Sequence, residues 1–316
     1  MTQLDATAFD RYASSAGTKG MGMKIQLLGT GTPTPSLKRM SSGYLVTVGD
    51  DTILFDHGTG AHHRYLETGR KATDVTHLFL THLHYDHCID YSRLVLTRWD
   101  QGTHDLPQLK VFGPEGTMDM TERLFSETGA FNLDLTARTS QPGSLAFYEA
   151  RGGTLPRLRP VPDVRELRSG DTIEGNGWTV TTQSVIHHQP YLHCFGYRID
   201  TPAGSLAYSG DAGPCKGMEV LAQDCDVMIH MTHYISGTQL NENNAKTSSG
   251  HKEVAALAAK ANVKTVVVSH VTEQMDVPGV RERLIKEMAE IYSGNIIWGE
   301  DLMEIPVEGP KPAKLL

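Results

Sequence analysis

Six residues constrain this chain more than any others: His82-Leu83-His84-Tyr85-Asp86-His87, set one residue after the largely apolar segment Val75–Leu80. Four of the six side chains are metal-ligand types. In extended or turning chain, alternate positions share a face, so His82 and His84 can grip one ion together. Asp86 and His87 then turn away and can reach a second. Nitrogen and carboxylate ligands suit Zn²⁺, with Mn²⁺ or Fe²⁺ as alternatives. The chain carries 15 His in 316 residues. Its four Cys, at 88, 194, 215 and 225, form no CxxC pair and are expected to be reduced and mostly buried.

Charge and hydropathy narrow the partners. A formal net charge of −8 argues against a broad nucleic-acid or anionic-membrane surface, because phosphate binding needs a basic footprint. The chain contains no apolar run of about 18 residues, so no membrane span is expected. The first twenty residues carry charges and lack an apolar signal core. The resulting expectation is a cytoplasmic protein with a small-molecule substrate, no nucleic acid and no membrane partner, and a homodimer as the admissible assembly.

The pattern of strands begins near Met23. KIQLLG, GYLVTV and DTILFDH read as strands, and VTHLFL is a buried strand that ends abruptly in the polar motif. WTVTTQSVI, FGYRID, SLAYSGD, DVMIH, VKTVVVSH and NIIW complete the strand set. Val254, Leu257, Ala258 and Ala261 mark an amphipathic helix, as do Val280, Leu284, Met288 and Ile291. The stretch Thr136–Asn176, rich in Gly, Pro and Arg, is predicted to hold short strands and surface loops. No repeat or low-complexity linker divides the chain, so one domain spanning 23–316 is expected after an extension at 1–22. Strands of both β-rich halves end in His or Asp.

HLHYDH matches the HxHxDH motif of the metallo-β-lactamase superfamily, and other segments follow in that family's order. LFDHGTG (Leu54–Gly60) resembles its Asp-x-Gly-x-Gly segment, with Asp56 supporting the site from behind. YSGDAG places Asp211 at the metal-bridging Asp, and VVVSHV places His270 at the last metal-binding His. The resemblance covers about residues 23–304 and implies an α+β fold, a four-layer αββα sandwich. It implies that His82, His84 and His187 hold one ion, that Asp86, His87 and His270 hold a second, and that Asp211 bridges them. His188 competes with His187 for the third position, and His193 is assigned to the pocket.

Within the superfamily, LGTGTPTP, FGYRID and the stretch from Gly250 to His270 look most like the branch of tRNase Z and certain bacterial arylsulfatases. His251 then matches a His that aids proton transfer to the leaving group, beside Asp86 as a water-orienting carboxylate. Its Glu partner is missing: the segment reads His230-Met231-Thr232-His233, with Met231 at the Glu position. That departure and the acidic charge argue against ribonuclease action, and His233 becomes the candidate acid.

Two ions about 3.5–4 Å apart can generate hydroxide from a shared water near neutral pH. The expected function is therefore a dinuclear metal-dependent hydrolase acting on a small electrophile, with lactones or esters favoured. Isothiocyanates, aryl sulfates and cyclic phosphodiesters are alternatives. A tRNase Z-like endoribonuclease and a non-catalytic metal-binding sensor are the rivals from other classes.

Overall fold

The computed structural model describes residues 22–103 and 105–307. Apart from Gly22, the predicted extension lies outside them. Strands β1 (Lys24–Gly29), β2 (Gly43–Val48) and β3 (Asp51–His57) form an antiparallel meander. To it β4 (His77–Phe79), β5 (Lys110–Gly113) and β6 (Asp163–Glu166) add in parallel. The second sheet begins with the antiparallel strands β7 (Thr172–Gly175), β8 (Trp178–Ser184), β9 (Phe195–Thr201) and β10 (Gly204–Tyr208). The parallel strands β11 (Val227–Met231), β12 (Thr265–Ser269) and β13 (Asn295–Trp298) complete it. The short β14 (Glu304–Ile305) returns to pair with β1, closing the first sheet's edge.

Alternation along the strands puts one set of apolar side chains between the sheets. Ile25, Tyr44, Phe55 and Phe79 of the first sheet share a buried cluster with Tyr197, Ile199, Tyr208 and Val267 of the second. Phe79 stacks on Phe55 and Phe112 at ring separations of 5.3 and 4.7 Å. The outer face of the first sheet is covered by α1 (Ala61–Glu67), α2 (Tyr85–Cys88) and α3 (Asp90–Gln101), through Tyr65, Cys88, Tyr91 and Leu94.

Three helices follow β5: α4 (Thr117–Phe125), α5 (Asn132–Ser140) and α6 (Pro142–Ala150). On the second sheet's outer face lie α7 (Lys216–Ala222), α9 (His251–Lys260) and α10 (Val280–Ala289), and α8 (Glu242–Thr247) sits just before α9. These layers make the expected αββα sandwich. No helix among the described residues is long and apolar enough to cross a membrane.

One expectation is corrected. Within Thr136–Asn176, predicted as short strands and loops, the end of α5 and all of α6 are helical. Pro142 occupies the first turn of α6, where its missing N–H costs nothing, and the Gln141 side chain caps the Ser144 N–H at 2.7 Å. Helix signals were present, but Phe147 is exposed, so no clean apolar stripe announces the helix.

Candidate metal centre

The ligand-type residues gather where strands of both sheets end. β4 delivers Thr81 and His82, β8 leads to His187, β10 to Asp211 and β12 to His270. His82, His84, His187 and Asp211 each bring one ligand atom within 4.8 Å of the others, and so do Asp86, His87, Asp211 and His270. Asp211 belongs to both groups. His87 Nε2 stands 3.3 Å from Asp211 Oδ1, and His270 Nε2 stands 3.3 Å from Asp211 Oδ2 and 3.4 Å from Asp86 Oδ2. His187 Nε2 is 3.6 Å from Asp211 Oδ2, and His82 Nε2 is 2.9 Å from His84 Nδ1. Ligands about 2.0–2.1 Å from one tetrahedral ion lie roughly 3.3 Å apart. Apart from the 2.9 Å His82–His84 contact, which is a hydrogen-bond distance, the separations of 3.3–3.6 Å fit donors converging on cations.

The outward nitrogens are tied down. His82 Nδ1 pairs with Thr81 Oγ1 at 3.0 Å, and His187 Nδ1 donates to the Thr247 carbonyl at 2.9 Å. His87 Nδ1 donates to Asp56 Oδ2 at 2.8 Å. Each bond points Nε2 at the centre and sets the tautomer a metal needs. Asp56 also accepts from the Thr81 N–H and hydroxyl at 2.7 and 2.8 Å and from Tyr208 at 2.6 Å. Gly58, just past β3, lets the chain pass close to the motif: a Cβ there would meet the Asp86 carbonyl oxygen at 1.8 Å. Asp56 and His270 both hold left-handed backbone, with φ of 56° and 54°. For residues other than glycine such backbone is uncommon and clusters at functional sites.

The residues present fit divalent cations. Asp86 Oδ1, His87 Nε2, His187 Nε2 and Asp211 Oδ1 are buried and have no hydrogen-bond partner among the described residues. Such groups are costly unless something satisfies them. Burial pushes His82 well below the usual imidazole range and His187 down to about 4, favouring the neutral, ligating form. At His87 burial works the same way, but the Asp211 and Asp56 carboxylates override it and raise the pKa well above the ordinary value. These carboxylates favour positive charge at that place.

Other expected site residues lie around this centre. His188 is exposed and belongs to neither group; its ring stacks on His187 at 4.0 Å and meets His84 edge-on at 4.9 Å. His193 is exposed and faces Glu115 at 3.5 Å. His233 lies beside the cluster, 5.4 Å from His270 between ring centres, with a buried Nδ1 that has no partner among the described residues. Burial lowers its pKa, and His270 adds to the effect.

His251 is fully buried, and neither metal-ligand group includes it. Its Nδ1 accepts from the Ser236 N–H at 3.1 Å, and its Nε2 faces Glu287 Oε2 at 3.0 Å. Sequence reasoning missed Glu287, which lies 36 residues away on another helix. It also missed Tyr208 and Thr81 as partners of Asp56; their places at the ends of strands leading into the site were the available signal.

The αββα sandwich and its strand-end cluster define a metal-dependent hydrolase of the metallo-β-lactamase superfamily. A family model described as anti-Pycsar protein Apyc1 matches residues 23–276, and the chain belongs to that family. Ribonuclease Z of Mycobacterium bovis (strain BCG / Pasteur 1173P2) is 30% identical over 291 residues, covering 90% of this chain and 98% of the relative. Ribonuclease Z of Mycobacterium avium (strain 104) is 29% identical over 294 residues, covering 91% and 99%.

Among solved structures, the metallo-β-lactamase fold protein YhfI from Bacillus subtilis superposes with a TM-score of 0.69 at 17% identity, covering 90% of this chain and 98% of that one. The short form of human tRNase Z superposes at 0.62 and 20% identity, covering 90% and 99%.

These comparisons overturn the expectation that no nucleic acid is involved, since the relatives are named for ribonuclease action. Net charge summed over a whole surface does not describe the potential at one cleft. The relatives' names point to ribonuclease action, not to the lactone or ester expected from the sequence.

Proposed function

We propose that this chain is a dinuclear, zinc-dependent phosphodiesterase acting on RNA. The observation that carries the reading is the pair of ligand groups sharing Asp211, set in a chain resembling ribonuclease Z over about nine-tenths of its length. His82, His84 and His187 would hold one ion and Asp86, His87 and His270 the other, with Asp211 between them. When bound, the ions would polarise a phosphoryl oxygen and lower the pKa of water.

The chain's own residues do the rest. Asp86 offers a free carboxylate oxygen, Oδ1, to orient the attacking water. His233 would hold a proton at Nδ1 for the departing oxygen; general acid help of this kind is worth about 10²–10⁴ in rate. The hydrogen bonds behind His82, His87 and His187 keep the imidazoles from rotating away.

The test is the metal-loaded protein offered a precursor tRNA, a 3′,5′-cyclic nucleotide, bis(p-nitrophenyl) phosphate, an aryl ester and a lactone. Cleavage of the precursor and the simple diester, abolished by Asp211→Ala, is expected. Hydrolysis confined to the ester or lactone would overturn the reading. One observation favours a second reading, a small cyclic phosphodiester. Met231 is a buried strand residue where the tRNase Z-like site would carry Glu, and His251 is braced by Glu287 instead. Turnover of the cyclic nucleotide without RNA cleavage would select it.

A further inference from the structure

At the end of α3 remote from the metal-ligand motif lies a cavity of about 310 Å³. That volume is at the small end of the range for small-molecule sites, roughly 300–1,000 Å³. Helix α3, the residues around Leu106, Tyr148 of α6 and the proline-rich segment Pro156–Pro162 enclose it. None of the ligand-type residues of the metal centre lines this cavity, so it is separate from that centre.

The lining has a definite chemical character. Val95, Leu106 and Leu109 supply apolar wall. Arg98 and Arg157 supply positive charge, and no Asp or Glu stands among the described lining residues. Arg98 spends its hydrogen bonds on neutral acceptors, the carbonyls of Val75 (3.0 Å) and Pro107 (2.7 Å). Those bonds hold the guanidinium in place without cancelling its charge.

Arg157 is only 5% exposed and lies between two aromatic rings, 4.0 Å from Trp99 and 4.9 Å from Tyr148. It donates to Asp100 Oδ1 at 3.1 Å, but Arg138 and Arg151 converge on the same oxygen at 2.9 and 3.8 Å. Three guanidiniums around one carboxylate leave positive charge over, even though Asp134 also pairs with Arg138. Arg157 Nε is buried with no acceptor among the described residues. A buried cation so incompletely paired is expensive, and an anion beside it would lower that cost.

We propose that this cavity binds a small amphipathic anion, with its apolar body against Val95, Leu106 and Leu109 and its carboxylate, sulfonate or phosphate head against Arg157 and Arg98. The aromatic faces fix the guanidinium, so little ordering remains to be done on binding.

The probe is 8-anilinonaphthalene-1-sulfonate, titrated into the metal-loaded full-length protein, with uncharged N-phenyl-1-naphthylamine in parallel. One saturable site is expected for the sulfonate, and at least about tenfold weaker binding of the uncharged analogue, which lacks the charge-assisted hydrogen bonds. Arg157→Gln should weaken the sulfonate by a similar factor and leave the analogue unchanged. Val161 lines the cavity and is 63% exposed, so Val161→Trp should block the site while folding normally and keeping phosphodiester turnover. This variant keeps the test decisive should Arg157→Gln fail to fold. Equal binding of both probes, or undiminished sulfonate binding in Val161→Trp, would overturn the proposal.

Discussion

His87 donates from Nδ1 to the Asp56 carboxylate over 2.8 Å, and neither residue is exposed to solvent. Three further donors converge on Asp56, two from Thr81 and one from Tyr208. This carboxylate couples the end of β3 to the motif after β4 and to β10 of the facing sheet. Its substitution should therefore be felt at the metal centre without removing any ligand. Asp56→Asn is expected to weaken metal retention about 10–100-fold, the usual cost of losing such an outer partner. Competition against a chelator of known affinity measures it; unchanged retention would show that His87 needs no support from behind.

The shared position of Asp211 predicts an asymmetry between ligand substitutions. Asp211→Ala should deplete both ions, whereas His270→Ala should deplete chiefly one. The neighbouring histidines separate in the same experiment. His187 points Nε2 toward Asp211 while His188 is exposed, so His187→Ala should lose metal and His188→Ala should keep it. Elemental analysis of the purified variants reads all four, and the opposite ranking of the two histidines would reassign the ligand.

His251 ties the start of α9 to α10 through Glu287. Both ring nitrogens are engaged away from the ligand groups, so bracing is its proposed role. His251→Ala should lower stability by about 1–3 kcal/mol, because the partly buried Ser236 N–H is left without its acceptor. Metal content and turnover per folded molecule should be kept. A hundredfold loss of turnover with stability unchanged would return His251 to the catalytic role suggested by resemblance.

Stability in acid should depend on Asp276. Burial alone would raise its pKa, but Arg39 and Lys38, at 2.8 and 2.6 Å, outweigh it and hold the pKa at about 2. The folded state thus binds this proton more weakly than the unfolded chain, whose Asp titrates near about 3.9. The stabilisation is complete above that value and is lost as pH falls toward about 2. Asp276→Asn should flatten this part of the profile of urea midpoint against pH; an unaltered acid limb would exclude the Arg39–Asp276 pair as its source.

The sequence alone determined the motif and the strands that carry it. His82, His84, Asp86 and His87 lie within six residues, so local chain geometry suffices to bring them together. Alternating apolar residues likewise announced most strands, because a sheet face repeats every second residue. Only the tertiary structure decided the rest. It chose His187 over His188 as the residue facing Asp211, since the side-chain direction depends on how the chain leaves β8. It also paired His251 with Glu287, gathered four donors on Asp56 and left Arg157 between Trp99 and Tyr148. Tyr208 and Asp56 are 152 residues apart. Contacts of that range exist only once two sheets pack face to face, and no local preference of the chain encodes which side chains then meet.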